Sequence, residues 1–325
     1  MRRNVFEQQR REDQIGATEQ RDRILSDVEQ SYYATLAAQE LVNVRRRLLG
    51  IAKDAGETVH QLANVGQADA PDVLQTEVEE EQAKLDYTSA QRAYIQDFRA
   101  LSALVAKPGL PLTPLAGNLE NPPAIDPDRI IAHIVQDSPS VKRARQDIAR
   151  SEAELKSAKR ESIPDLQFRG GIQQNFEPLN EIARTPVGVQ AFVTVGVTLP
   201  IFNRNQGNVT AAEADRARAQ AEAMRVRLSI RQRAQPLLQE YLSAREEANR
   251  YKNEMIPRAA RAYRLYLAKY RQMGAAYPEV LVSQRTLFQL QASYIAVLQN
   301  VWTNAIALQN YTLSGGLNAA MPSGT

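Results

Sequence analysis

The sequence predicts a mainly α-helical protein: two long antiparallel coiled-coil hairpins, related by an internal repeat, with one β-hairpin between them. Three observations carry this. The first is the repeat. Glu29–Glu40 (EQSYYATLAAQE) aligns with Leu237–Ala248 (LLQEYLSAREEA), placing Tyr33 opposite Tyr241 at an offset of 241 − 33 = 208, and PDVL at Pro71 aligns with PEVL at Pro278 at 278 − 71 = 207. The alignment of VGQADAP with MGAAYP puts the lost residue at the turn and Gly66 opposite Gly274. A period of this size marks a duplicated architectural unit. The second is composition. Charged residues make up 24% of the chain and aromatic ones only 6%, a balance suited to extended, partly solvated helices. The third is a pair of segments that switch from helical to period-two alternation.

In chain order, the first helix is expected over 4–64, on the order of 90 Å long at helical rise, with Gly50 and Gly56 as weak points. A turn at 65–70 reverses it. Asp69 is placed to cap the next helix, Pro71 suits its first turn, and Asp72 complements its positive N-terminus. That helix runs over 72–106, with a seam of Tyr87, Ala90, Tyr94, Phe98, Leu101 and Val105 in steps of three and four. The Pro-dense stretch from Lys107 to Asp128 is an extended linker joining the repeats. Short helices follow over 127–135 and, from Ser138-Pro139, to about Glu161.

Ser162–Asn175 then alternates Leu166, Phe168 and Ile172 with polar residues, and Ala191–Phe202 alternates Val193, Val195 and Val197. Each reads as a strand of about ten residues with one apolar face, the length of a transmembrane β-strand. The same alternation also fits a soluble antiparallel hairpin with one wet face. The long helix resumes after Asn208 with Pro236 and Pro257 as kink sites. It turns at Gly274 and returns over 279–313, carrying Leu287, Tyr294, Leu298, Val301, Ala305 and Leu308 near a 3.5-residue spacing with Gln291 as the polar exception. Gly315-Gly316 is expected to end it. The domain boundaries read from these features are 1–106, 107–128, 129–161, 162–202, 203–314 and 315–325.

The 40 basic and 37 acidic residues are interspersed, and Arg45-Arg46-Arg47 reads as a solvated helix face rather than a phosphate footprint. These 325 residues contain no cysteine, so neither disulfides, thiolate metal sites nor a lipidated cysteine is expected among them. No apolar run approaches the roughly 18 residues of a membrane-spanning helix, and MRRNVFEQQRREDQ has no apolar stretch of a signal peptide. With two histidines, His60 and His133, and no Gly-rich phosphate loop, no catalytic grouping can be assembled. His133 and Asp137 read as a solvated helical pair. The expectation is a non-enzyme without cofactor or resident metal.

VTVGVTLPIFNRNQGN at Val193–Asn208 resembles the strand-to-helix corner of TolC-type outer-membrane efflux proteins. Ser138–Phe168 resembles the helix leading into the other strand. The two tips, VGQADAPDVLQTEVEEEQAKLDY and MGAAYPEVLVSQRTLFQLQASYIAVL, resemble that family's periplasmic hairpin ends. FNRNQGN is most similar to the branch serving heavy-metal and small-cation exporters. The resemblance spans essentially the whole chain.

It implies a homotrimer closing a 12-stranded barrel in outer-membrane lipid above a periplasmic α-barrel. It also implies an inner-membrane efflux pump and a periplasmic adaptor as partners, and no nucleic acid. Its tips would gate the duct and meet the adaptor through Gly66, Asp69, Pro71, Asp72, Gly274, Pro278 and Glu279. Leu166, Phe168, Ile172, Val193, Val195 and Val197 would face lipid. This sequence departs from the family in lacking a signal peptide and a first strand pair. It reads as N-terminally truncated, and three copies would supply six strands, half of a closed barrel. The competing function is a soluble or periplasmic coiled-coil adaptor or scaffold.

Overall fold

A computed structural model describes residues 2–161, 166–178, 186–197, 205–272, 274 and 276–316. The chain divides into two compact units: Met1–Gly16 with Ser140–Val226, and Ala17–Pro139 with Arg227–Thr325.

The first unit holds the beginning of α1 (Arg2–Asn64), α4 (Pro139–Arg160), the start of α5 (Gln206–Arg250) and both strands. Arg150 ties α4 to α1 by pairing with Glu12 at 3.2 Å, and Gln146 donates to the Gln8 carbonyl at 3.2 Å. Lys159 bridges to Glu213 of α5 at 2.9 Å. Strands β1 (Leu166–Pro178) and β2 (Pro186–Val197) are antiparallel. Leu166 pairs with Val197, Phe168 with Val195, Gly170 with Val193 and Ile172 with Ala191. Directly opposed residues share a face, so the register gathers the predicted apolar positions of both strands onto one side. On the other side Phe192 covers Gly171, where an added Cβ would lie 2.8 Å from the ring. The first four positions of the expected first strand, the hairpin loop at 179–185, and positions 198–204 lie outside the described residues.

The second unit is built on the rest of α1, α2 (Ala70–Leu104), α3 (Pro127–Asp137), the end of α5, α6 (Ile256–Arg271) and α7 (Tyr277–Gln309). Helix α1 is continuous through Gly50 and Gly56. Along the α2 seam Ala90, Phe98 and Leu101 are buried and Tyr87 and Tyr94 half-buried, whereas Val105 lies beyond the helix end and is exposed. Along α7, Leu287, Leu298, Val301, Ala305 and Leu308 are all buried, with Tyr294 and Gln291 half-buried.

Pro236 is accommodated inside α5 without interruption, but Pro257 follows a π-turn at Tyr251–Met255. A proline lacks the N–H for the helical bond and crowds the carbonyl four residues back. Widening the turn, with the Ile256 N–H donating to the Tyr251 carbonyl, relieves that crowding.

The end of α7 departs from expectation. The helix stops at Gln309, not Leu313, and the stop is made by Tyr311 and Thr312 at φ 57° and 59°. The Thr312 N–H donates back to Ala307 at 2.7 Å, the six-to-one bond of a Schellman cap with Tyr311 in the usual glycine position. Gly315 and Gly316 do something else. Their N–H groups donate to the two carboxylate oxygens of Asp27 on α1, at 3.0 and 2.6 Å.

The Pro-dense linker is a strap rather than a tether. Tyr94 donates to the Thr113 carbonyl, Gln39 brackets Leu115 at both its N–H and its carbonyl, and Tyr32 donates to Ala116. Trp302 Nε1 donates to Leu119 at 2.8 Å and Tyr241 Oη to Pro123 at 2.8 Å. Lys252, in the π-turn, pairs with Glu120 at 2.7 Å. Burial and the Glu120 charge push the Tyr294 hydroxyl up to about 12.

Candidate functional site: the paired helical tips

Both tips belong to the second unit, and they share one core. Val59 of α1, Tyr270 of α6 and Tyr277, Val280 and Leu281 of α7 are buried together, with Leu62, Ala68, Val73, Tyr263 and Leu267 packed around them. The α1–α2 and α6–α7 reversals therefore lie at the same end of this unit, as the repeat requires.

The first tip is a Schellman cap. Gln67 N–H donates to Leu62 at 2.7 Å and Gly66 N–H to Ala63 at 3.0 Å, with Gly66 at φ 73°. The second uses the same long bond, from Gly274 N–H to Lys269 at 2.8 Å. The equivalent residues are thus Gln67 and Gly274, an offset of 274 − 67 = 207, and not Gly66 and Gly274. The residue separating the two repeats is lost upstream of the caps, inside the long helices, rather than at the turn. Sequence alignment paired the glycines because they are the only distinctive letters there. Gly274 is not among the positive-φ glycines.

Asp69 occupies the N-cap of α2 in extended conformation, yet its side chain makes no capping hydrogen bond. Its carbonyl instead accepts from Asp72 and Val73 at 3.0 and 3.3 Å. The expected side-chain cap is absent, and the Asp69 carboxylate is exposed beside Asp72. Asp72 is half-buried in the first turn, and burial, then the Asp69 charge, raises its pKa. Pro71, Pro278 and Glu279 are exposed at the helix starts, as are Gly66 and Gly274 at the reversals. Tip residues on hand thus include three acids, Asp69, Asp72 and Glu279, over an aromatic core.

Sequence reading missed that core. Tyr270 and Tyr277 pack with ring centroids 5.5 Å apart, and burial, reinforced by Glu79, holds the Tyr277 hydroxyl far above the ordinary tyrosine range. The signal was available as two tyrosines flanking the second turn, but the first tip has Ala70 where the second has Tyr277, so the repeat gave no emphasis. Also unforeseen is a bidentate pair between Arg285 of α7 and Glu79 of α2, its Nε contact at 3.2 Å. With Arg45–Asp86 at 2.9 Å it borders a cleft of about 590 Å³ between α1, α2 and α7.

In the first unit, Leu166, Phe168, Ile172, Val193, Val195 and Val197 are all exposed, from 52% at Val197 to 82% at Val193. No helix among the described residues is long and apolar enough to cross a membrane, and no group of three or more metal-ligating side chains occurs among them. His133 contacts Asp137 at 3.2 Å and Tyr311 at 3.4 Å on an exposed surface.

Known proteins resemble this chain over most of its length. It is 25% identical over 285 residues to the cobalt-zinc-cadmium resistance protein CzcC of Cupriavidus metallidurans, covering 88% of this chain and 66% of that one. It is 23% identical over 321 residues to the probable efflux pump outer membrane protein TtgC of Pseudomonas putida, covering 95% and 63%. The chain therefore spans about two thirds of the length of these relatives. Among solved structures, CusC matches with a TM-score of 0.75 at 17% identity over 96% of this chain and 74% of that one. The open-state MtrE outer membrane channel of Neisseria gonorrhoeae matches at 0.72 and 17% identity, over 96% and 72%. These structural matches establish a TolC-type fold. Residues 130–313 match the model of the outer membrane efflux protein family, and the chain belongs to that family.

Proposed function

We propose that this chain is the larger part of an outer-membrane exit duct. It would be a passive, non-enzymatic conduit in which three copies surround a common channel. An inner-membrane pump, coupled through a periplasmic adaptor, delivers the cargo and supplies the energy. The observation that carries the reading is the strand register. It places six apolar side chains on one exposed face of a two-stranded sheet. A soluble scaffold has no use for such a face, whereas a membrane barrel needs one turned to lipid. The backbone edges of two strands cannot stand alone in hydrocarbon, which is why several copies, and the further length of the relatives, enter the proposal.

The tips are the gate and the adaptor contact in this reading. Asp69, Asp72 and Glu279, repeated around a ring, form a carboxylate collar that favours cations over anions. That collar, together with the similarity to a cobalt-zinc-cadmium resistance protein, points to divalent metal cations as cargo. Single-cysteine labelling tests the membrane reading in this cysteine-free background. Probes at Phe168→Cys and Val195→Cys should be shielded from aqueous quencher in vesicles, while Gln167→Cys stays accessible. Full water exposure of the first two would remove the duct. The cargo is read separately, by comparing a strain lacking the coding region with its parent for sensitivity to cobalt, zinc and cadmium and to organic antibiotics.

A further inference from the structure

Where the strap crosses the second repeat, a small cavity of about 270 Å³ lies between Glu120–Pro122, the end of α5 and the middle of α7. Ala248, Leu298 and Val301 give it a buried apolar floor. Around the floor stand exposed polar residues: Arg245, Asn249 and Lys252 from α5 and its π-turn, and Asn121 from the strap. Positions 245, 248, 249 and 252 follow the i, i+3, i+4, i+7 spacing of one helix face, so a single face of the long helix presents them together.

The repeat shows that the fold does not require this polarity. At the offset of 208, Arg245 corresponds to Ala37, Asn249 to Leu41 and Lys252 to Val44. Ala37 and Val44 are 1% and 4% exposed, and Leu41 is half-buried. The first copy closes that face with apolar side chains; the second leaves it open and cationic.

The charges favour one class of ligand. Glu120 accepts from Lys252 Nζ at 2.7 Å and from the Tyr294 hydroxyl, so its carboxylate is satisfied and Lys252 is neutralised. Arg245 has no ion-pair partner among the described residues, and the side-chain amides of Asn121 and Asn249 make no hydrogen bond among them. The cavity therefore presents one uncompensated guanidinium, whose planar fork matches the oxygens of a carboxylate or phosphate. Two carboxamides able to donate line the same cavity.

We propose that this cavity binds a small oxyanion, a carboxylate or a phosphate, with Arg245 taking the charge and Asn121 and Asn249 the flanking oxygens. The volume falls below the roughly 300–1,000 Å³ of sites for drug-sized molecules, so the ligand is compact. Its sign sets it apart from the cations proposed as cargo, and the site stands whether or not the duct reading does. Asn121 belongs to the strap and Asn249 to α5, so one bound anion pins the linker between the repeats to the second of them.

Isothermal titration calorimetry of the full chain at low salt tests this, with inorganic phosphate and succinate as probes. At least one should saturate a single site per chain; saturation by phosphate alone makes it a phosphate site, by succinate alone a carboxylate site. Arg245→Gln should weaken binding about ten-fold, through loss of a bidentate charge-assisted contact. Arg250→Gln removes the same charge from an arginine paired with Glu246 outside the cavity, and should leave binding unchanged. Glu120→Gln frees Lys252 and should tighten binding about three-fold, the scale of one exposed charge. All three side chains are exposed, and unchanged melting temperatures verify that the variants fold. No saturable heat with either probe, or equal losses in Arg245→Gln and Arg250→Gln, overturns the site.

Discussion

Tyr33 and Trp302 stack face to face, their ring centroids 3.6 Å apart and their planes 13° from parallel. Trp302 extends the contact by donating its indole N–H to Leu119 of the strap. Tyr241, which the repeat pairs with Tyr33, donates its own hydroxyl to Pro123 four residues further on. The two aromatic anchors of the duplication therefore sit beneath one short length of linker, and together they fix where it crosses.

Replacing Trp302 with leucine removes the stack and leaves the Leu119 carbonyl without its donor. The expected loss is about 3 kcal/mol, the range for truncating a buried aromatic. Tyr33→Phe retains the stack and should cost less than about 1 kcal/mol. Denaturant unfolding compares the two directly.

Asp72 carries a pH signature. Its pKa is raised in the folded protein by burial and by Asp69, so the folded state holds that proton more tightly than the unfolded one. Stability from this group is gained as pH falls through its folded pKa, and its charged form is a penalty at neutral pH. Asp72→Asn should raise the melting temperature by about 1–2 °C at pH 7, allowing for solvent screening. The gain should disappear near pH 3, where the wild-type carboxyl is protonated in both states.

The tip acids should differ in conductance. Asp69 makes no side-chain cap, so its charge is available to a passing ion, whereas Asp72 is half-buried. In channels formed by protein containing this chain, Asp69→Asn should reduce cation selectivity in planar bilayers more than Asp72→Asn does. Equal and negligible effects would leave both as features of a helix start and remove the carboxylate collar.

At the other end of α7, a Cβ on Gly316 would lie 2.6 Å from the Ile24 backbone nitrogen. Gly316→Ala must therefore push the C-terminal segment off α1, and a cost of about 1–3 kcal/mol is expected. Asp27→Asn keeps the shape but exchanges a carboxylate for a neutral amide opposite two N–H donors, so it should weaken the same clasp. Loss of amide protection at 313–316 is the readout for both.

Much of this architecture was legible because it is written in periodicity. The helices, the strand pair and the shared end of the two tips follow from local spacing, and the α7 seam from Leu287 to Leu308 is buried as its spacing implies. What escaped was decided by contacts between distant residues. Nothing local distinguishes Gly315-Gly316 as hydrogen-bond donors to Asp27 from an ordinary helix stop, and Tyr311 ends α7 from a backbone conformation that glycine more often supplies. Asp69 has the right residue type for a cap, but its side chain is not used as one. The tip's candidate residues were found from turn chemistry, while Tyr270, Tyr277 and the Glu79–Arg285 pair required knowing which helices meet.

The strap's bonds also separate its path from its spelling. Its carbonyls at Thr113, Leu115, Ala116, Leu119 and Pro123 are gripped by side chains belonging to other elements, and every residue offers a carbonyl. Sequence in this crossing can therefore drift while its course stays put. Four positions are exceptions. Leu119 is buried, and Glu120 pairs its carboxylate with Lys252. Leu115 must keep an N–H for Gln39, which forbids proline, and Gly117, at φ 136°, has Leu36 only 3.2 Å from where a Cβ would stand. Variation that spares those four and the gripping side chains changes the wording of the connection between the repeats without moving either one.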